Sequence, residues 1–139
     1  MTNSEIEKVV VGVDGSPDSK KALAWAETYA KRTGADITLV TAWQWPTSYG
    51  VPLAWDQYDP SVDAQKVLEK AMAELSLPSD RVHPRVVQGP AAEVLARGSR
   101  DAGLLVVGTR GHGSLAGAIL GSVSSHCVHH AHCAVVVVR

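Results

Sequence analysis

The sequence predicts a single α/β domain over residues 1–139, a doubly wound parallel sheet with five strands and helices on both faces. Three observations predict it. Short apolar runs such as Lys8-Val9-Val10-Val11-Gly12-Val13 have the composition of strands buried on both faces. Segments of helical periodicity separate these runs, and glycine, proline or serine punctuates the junctions. Five strands alternating with four helices, without internal repeat, imply parallel pairing through right-handed crossovers.

The first strand ends at Asp14-Gly15-Ser16-Pro17, a turn in which Ser16 can cap a helix and Pro17 fits its first position. Ala22, Leu23, Ala26, Tyr29 and Ala30 mark the buried side, Trp25 reads as core, and Gly34 closes the helix in the left-handed conformation. A second strand spans 36–43. The segment 44–60 carries Trp45, Pro46, Gly50, Pro52, Trp55 and Pro60, so it holds neither a long helix nor a central strand. A connection of that length is commonly functional.

Residues 61–77 read as a helix with Val62, Val67, Leu68, Met72 and Leu75 inward. The third strand begins near Arg81 and ends at Gly89; Pro84 places it at a sheet edge. Pro90 opens the third helix, residues 103–107 form the fourth strand, 122–131 the last helix and 133–138 the last strand.

Composition narrows the function. With 45% apolar and 19% charged residues and a net charge of −1, the chain lacks the basic surface that drives binding to nucleic acid or anionic membranes. The N-terminus does not resemble a signal peptide and no stretch is long and apolar enough for a membrane span. Cys127 and Cys133 suit a reducing compartment. A cytoplasmic location is the expectation.

The informative segment runs from Val107-Gly108 to Gly121-Ser122-Val123-Ser124. Its glycines permit close backbone approach, and Gly121-Ser122 enters a helix whose first N–H groups are unpaired and suited to a phosphate. The same residues also fit a plain connection whose glycines serve turns, and Arg110 fits either a phosphate partner or a solvated loop charge. There is no Walker-type Gly-x-x-x-x-Gly-Lys, no Gly-x-Gly-x-x-Gly after the first strand, and no lysine beyond Lys70.

Gly108-x2-Gly111-x9-Gly121-Ser122, preceded by Leu104-Leu105-Val106-Val107, resembles the signature of the ATP-binding branch of universal stress proteins. The resemblance extends to Val10–Ser16, Thr38–Ala42, Gly89-Pro90 and His132–Val136; Gly103 departs from it, standing where the family often has aspartate. It implies a sheet order of 3-2-1-4-5, with a crevice between strands 1 and 4. It places Gly12, Val13 and Asp14 beside adenosine and Ala42 at adenine. It wraps ribose and phosphates with the stretch Gly108, Thr109, Arg110, Gly111, His112, Gly113 and Ser114, and holds the distal phosphates with Gly121, Ser122, Val123 and Ser124. His112 itself is expected at the surface. ATP, with Mg2+, is the implied cofactor.

His126, Cys127, His129, His130, His132 and Cys133 crowd one segment. His126 and His130, four apart, have zinc-chelating spacing, but Cys127 is expected to point inward and no metal site is assigned. Trp43, Trp45 and Trp55 either cover the adenine or pack the long connection. An ATP-binding regulatory domain, a slow ATPase or transferase, and an interaction module with an empty pocket all remain open. The adenylyl-transfer signature His-x-Gly-His is absent, and the loop offers no obvious carboxylate base. Finally, Ala134–Val138 is an apolar edge strand without proline or internal charge. A homodimer through this strand is expected, as the resemblance also implies.

Overall fold

The computed structural model describes residues 7–45, 47–48, 51–52, 59–110 and 120–139. Its main sheet has five strands, β1 (Lys8–Gly12), β2 (Asp36–Trp43), β3 (Val82–Gln88), β4 (Leu104–Gly108) and β5 (Ala134–Val138). All pairings are parallel, in the order β3-β2-β1-β4-β5, as expected. The register places Val9 beside Ile37 and Leu104, and Val10 beside Thr38 and Leu105.

Alternating side chains feed two cores. Val9, Val11, Ile37 and Leu39 face helices α1 (Pro17–Thr33) and α2 (Pro60–Ala73), where Ala22, Ala26 and Leu68 meet them. Val10, Val40, Leu105 and Val107 face α3 (Ala91–Gly98) and α4 (Ser122–His130), meeting Val94, Leu95 and Cys127. A sheet covered on both faces needs apolar residues at successive positions, which is why its strands are continuous apolar runs.

Local chemistry sets the helix ends. The Ser16 hydroxyl accepts the Ser19 N–H at 3.2 Å, and Pro17 occupies the first turn. Gly34 has φ 82° and its N–H donates to Ala30 O at 2.8 Å. The Arg81 guanidinium donates to the carbonyls of Ala30 and Ala35, fastening that end of α1.

Several boundaries and placements differ from expectation. β1 stops at Gly12, although the Val13 N–H still donates to Val40 O at 2.9 Å. β4 runs to Gly108, and β5 begins at Ala134. α2 begins at Pro60, because Asp59 caps it by accepting the Ser61 N–H, and ends at Ala73 rather than residue 77. Beyond it the Ser76 N–H is drawn to the Glu27 carboxylate of α1, which pulls the chain off the helical path. Trp25 is not core. It is 38% exposed and stacks on Tyr29, one turn along, with centroids 5.5 Å apart. The sheet-facing stripe of Ala22, Leu23, Ala26 and Ala30 leaves no room for an indole beneath it. Val62 also faces outward, since Ala64, Leu68 and Ala71 make the buried side of α2. The segment after β2 contains a two-stranded antiparallel ribbon, Thr47–Ser48 with Val51–Pro52. Pro46, Gly50 and Trp55 lie outside the described residues.

Candidate functional site

From β1 the chain winds outward through β2 to β3, then crosses back to place β4 against β1 on its other side. The connections leaving β1 and β4 therefore diverge, and a crevice opens at the carboxyl ends of these two strands. The structure has a cleft of about 220 Å³ there.

Its walls gather most of the residues expected from sequence. β1 and the turn after it supply Gly12, Val13 and Asp14, β2 supplies Ala42, and the end of β4 supplies Gly108 and Arg110. The start of α4 supplies Gly121, Ser122, Val123 and Ser124. Gly111, His112, Gly113 and Ser114 lie outside the described residues.

Thr109 is placed differently from its neighbours. Its N–H and hydroxyl both donate to Val138 O, at 2.9 and 2.8 Å, so the side chain is turned to β5. Its carbonyl in turn accepts the Gly121 N–H at 2.7 Å and the Ser124 hydroxyl at 2.8 Å. Ser124 is thus buried and its hydroxyl points inward, whereas Ser122 is exposed on the first turn.

Sequence reasoning missed Ser19, Val40, Ala91, Leu95 and Val107, which also line the cleft. Two signals were available. Val40 precedes Ala42 by two residues and so shares its face of β2. Ala91 follows Gly89-Pro90 as Ser122 follows Gly121, at the start of a helix beyond a strand end.

The electrostatics favour an anion. Three helices begin at this cleft, represented by Ser19 of α1, Ala91 of α3 and Ser122 of α4. Their positive dipole ends converge. Ser16 caps α1, but Pro90 and Gly121 give α3 and α4 no side-chain cap. Helix geometry leaves the first-turn N–H groups without intrahelical partners and open to a ligand.

The charged groups already have local partners. Asp14 accepts the Ser16 N–H at 2.9 Å while its own N–H donates to the Ser19 hydroxyl at 3.1 Å, shaping the turn after β1. Arg110 is exposed to solvent and is also paired. Its Nε lies 3.5 Å from Asp18 Oδ2, which also accepts the Arg110 N–H at 3.2 Å.

Two glycines of the cleft have packing reasons for lacking a side chain. A Cβ on Gly108 would sit 2.7 Å from the backbone carbonyl of Asp18, and one on Gly12 would sit 2.8 Å from Leu95 Cδ1. Both keep α1 and α3 close to the sheet at the rim.

On the far half of α4, Cys127 is buried and faces the core, as expected, and burial pushes its thiol up to about 11. The rings of Trp43 and Trp45 meet edge to face, 5.9 Å apart, at the carboxyl end of β2. Among the described residues no helix is long and apolar enough to cross a membrane.

The chain has extensive likeness to known proteins. It is 38% identical over 142 residues to a universal stress protein of Mycobacterium tuberculosis, covering 94% of this chain and 47% of that protein. A Mycolicibacterium smegmatis universal stress protein is 34% identical over 135 residues, covering 94% of this chain and 45% of the other. The chain therefore spans about half the length of the curated relatives it matches. Among solved structures, a universal stress protein in complex with cAMP superposes with TM-score 0.68 at 27% identity, covering 98% of this chain and 99% of that one. The Archaeoglobus fulgidus universal stress protein in complex with dAMP superposes with TM-score 0.70 at 18% identity, covering 95% and 97% of the two chains, and so speaks for the fold. The chain also matches the Universal stress protein family over residues 5–139, and with these relatives it follows that this chain belongs to the universal stress protein family.

Proposed function

We propose that this chain is an adenine-nucleotide-binding member of its family, taking ATP with Mg2+ and acting as a cytoplasmic regulatory domain in stress response. One observation carries the reading: the uncapped start of α4 opens into a cleft at the point where the sheet reverses its winding. A nucleotide-bound solved relative, the cAMP complex, supports the ligand class. In this reading Gly12, Val13, Asp14 and Ala42 receive the nucleoside. Arg110, Ser122 and the first N–H groups of α4 receive phosphates, and residues 111–114 continue that wall. Asp14 is the one carboxylate among the described residues lining the cleft. Mg2+ would accompany the phosphates, supplying charge neutralisation there.

Binding rather than efficient turnover follows from the donor set. Asp14 is engaged in its own turn, and no other acidic residue among those described lines the cleft to activate an acceptor. Nucleotide then acts by favouring the conformation it binds best. The chain further self-associates through β5, which pairs only with β4 in the described sheet and leaves its outer edge free for a two-fold copy.

Calorimetric titration with MgATP tests the site. Ser122→Ala should weaken binding by about 1.5–3 kcal/mol, the worth of a hydrogen bond to a charged group. Gly121→Val should weaken it while the far-ultraviolet circular dichroism stays unchanged. An unaltered affinity in folded Gly121→Val would overturn the assignment.

A further inference from the structure

The second half of α4 carries a group of side chains that nucleotide binding does not use. Of the histidines in and after this helix, two are committed to the fold. His129 Nδ1 lies 2.8 Å from the Ser125 carbonyl, which can only accept, so that nitrogen carries the proton. Arg100 Nε–H donates to His132 Nε2 at 3.3 Å. Elsewhere, His83 is paired with Asp36 at 3.1 Å.

His126 and His130 differ. They stand one turn apart on the same helical face, their ring centroids are 4.4 Å apart, and no hydrogen-bond partner among the described residues occupies their ring nitrogens. His130 is exposed and His126 half-buried, so solvent reaches both.

We propose that His126 and His130 form a chelating site for one first-row divalent transition-metal ion of the class that prefers imidazole. The geometry suits this. With metal–nitrogen bonds of 2.0–2.1 Å, two imidazoles on one ion have centroids about 4.5 Å apart at a right angle and about 5.2 Å apart at a tetrahedral one. The observed 4.4 Å separation is close to this range, and small side-chain rotations reach either arrangement. An imidazole-only pair offers nothing to a hard ion such as Mg2+. Among the described residues no third histidine, cysteine or carboxylate converges with them, so water fills the remaining positions. The site is open and exchangeable, unlike a closed four-ligand structural centre. Neither histidine is among the described residues lining the nucleotide cleft.

The test is titration of the untagged chain with Ni2+ at neutral pH, followed calorimetrically. One ion per chain is expected at micromolar concentration, with Mg2+ giving no heat. His126→Ala or His130→Ala should lose affinity on the order of a hundredfold, because a chelate becomes a single ligand. His83→Ala should bind as the parent does. Circular dichroism confirms that each variant folds. Absence of binding in the parent, or full affinity retained in either alanine variant, would overturn the site.

Discussion

Gly108→Ala tests whether the rim of the cleft is built by contact between α1 and β4. The added Cβ would lie 2.7 Å from both the carbonyl carbon and oxygen of Asp18 and 2.9 Å from its Cβ. Ordinary contact requires the first turn of α1 to withdraw by about 0.7–1 Å. That turn is tied down by the Ser16 cap and by the paired bonds of Asp14 with Ser16 and Ser19. Overpacking costs about 1–3 kcal/mol, and a backbone obstacle places this variant near 3 kcal/mol. For a chain of this size that lowers Tm by roughly 10 °C. Gly12→Ala is the internal control. Its Cβ meets the end of the Leu95 side chain at 2.8 Å, which rotation relieves for about 1 kcal/mol. Urea unfolding of both variants reads the difference directly. If Gly108→Ala loses no more stability than Gly12→Ala, the close approach of α1 to β4 is not what requires glycine there.

Three further outcomes are expected. Asp18→Asn leaves an oxygen for the Arg110 N–H but removes the half-exposed ion pair, costing under about 1 kcal/mol of stability. It should tighten MgATP binding by freeing the guanidinium, and weaker binding in calorimetry would show that Asp18 does not compete with phosphate. Cys127, raised from an ordinary 9.0 to about 11, keeps its proton more tightly when folded than unfolded. Its contribution to stability is therefore complete below about pH 9 and lost as pH rises from there to about 11. Cys127→Ala should blunt that alkaline decline in a pH series of melts, and an identical decline counts against it. Self-association through β5 predicts a dimer in sedimentation velocity at micromolar concentration; a monomer there refutes it.

Much of the architecture was legible because the deciding interactions are local. Ser16-Pro17 and Gly34 bracket α1 through contacts within four residues, and Pro84 marks an edge strand by its missing N–H. The cleft was legible for a related reason: strand ends and helix starts are sequence features, and topology alone brings Asp14 and Gly108 together. What escaped notice depends on partners distant in sequence. Asp18 and Arg110 are 92 positions apart, and nothing near either announces the pairing. The bond from Ser76 to Glu27 that ends α2 early spans 49 positions. Glycines 12 and 108 read as places for a ligand to approach, yet each already has a neighbour of the fold against it. The edge strand reads as bare from its valines. In the structure Val136 and Val138 lean on one core and Val135 and Val137 on the other, so its open side is backbone rather than side chain.

The carbonyl of Thr109 gathers both ends of the glycine-rich segment, taking the Gly121 N–H and the Ser124 hydroxyl just where the chain leaves β4. Thr109 is itself held to the last residue of β5. The start of α4 is thereby tied directly to the chain leaving β4. A ligand held at Ser122 would therefore bear on a helix start that is fastened, through Thr109, to two neighbouring strands of the sheet.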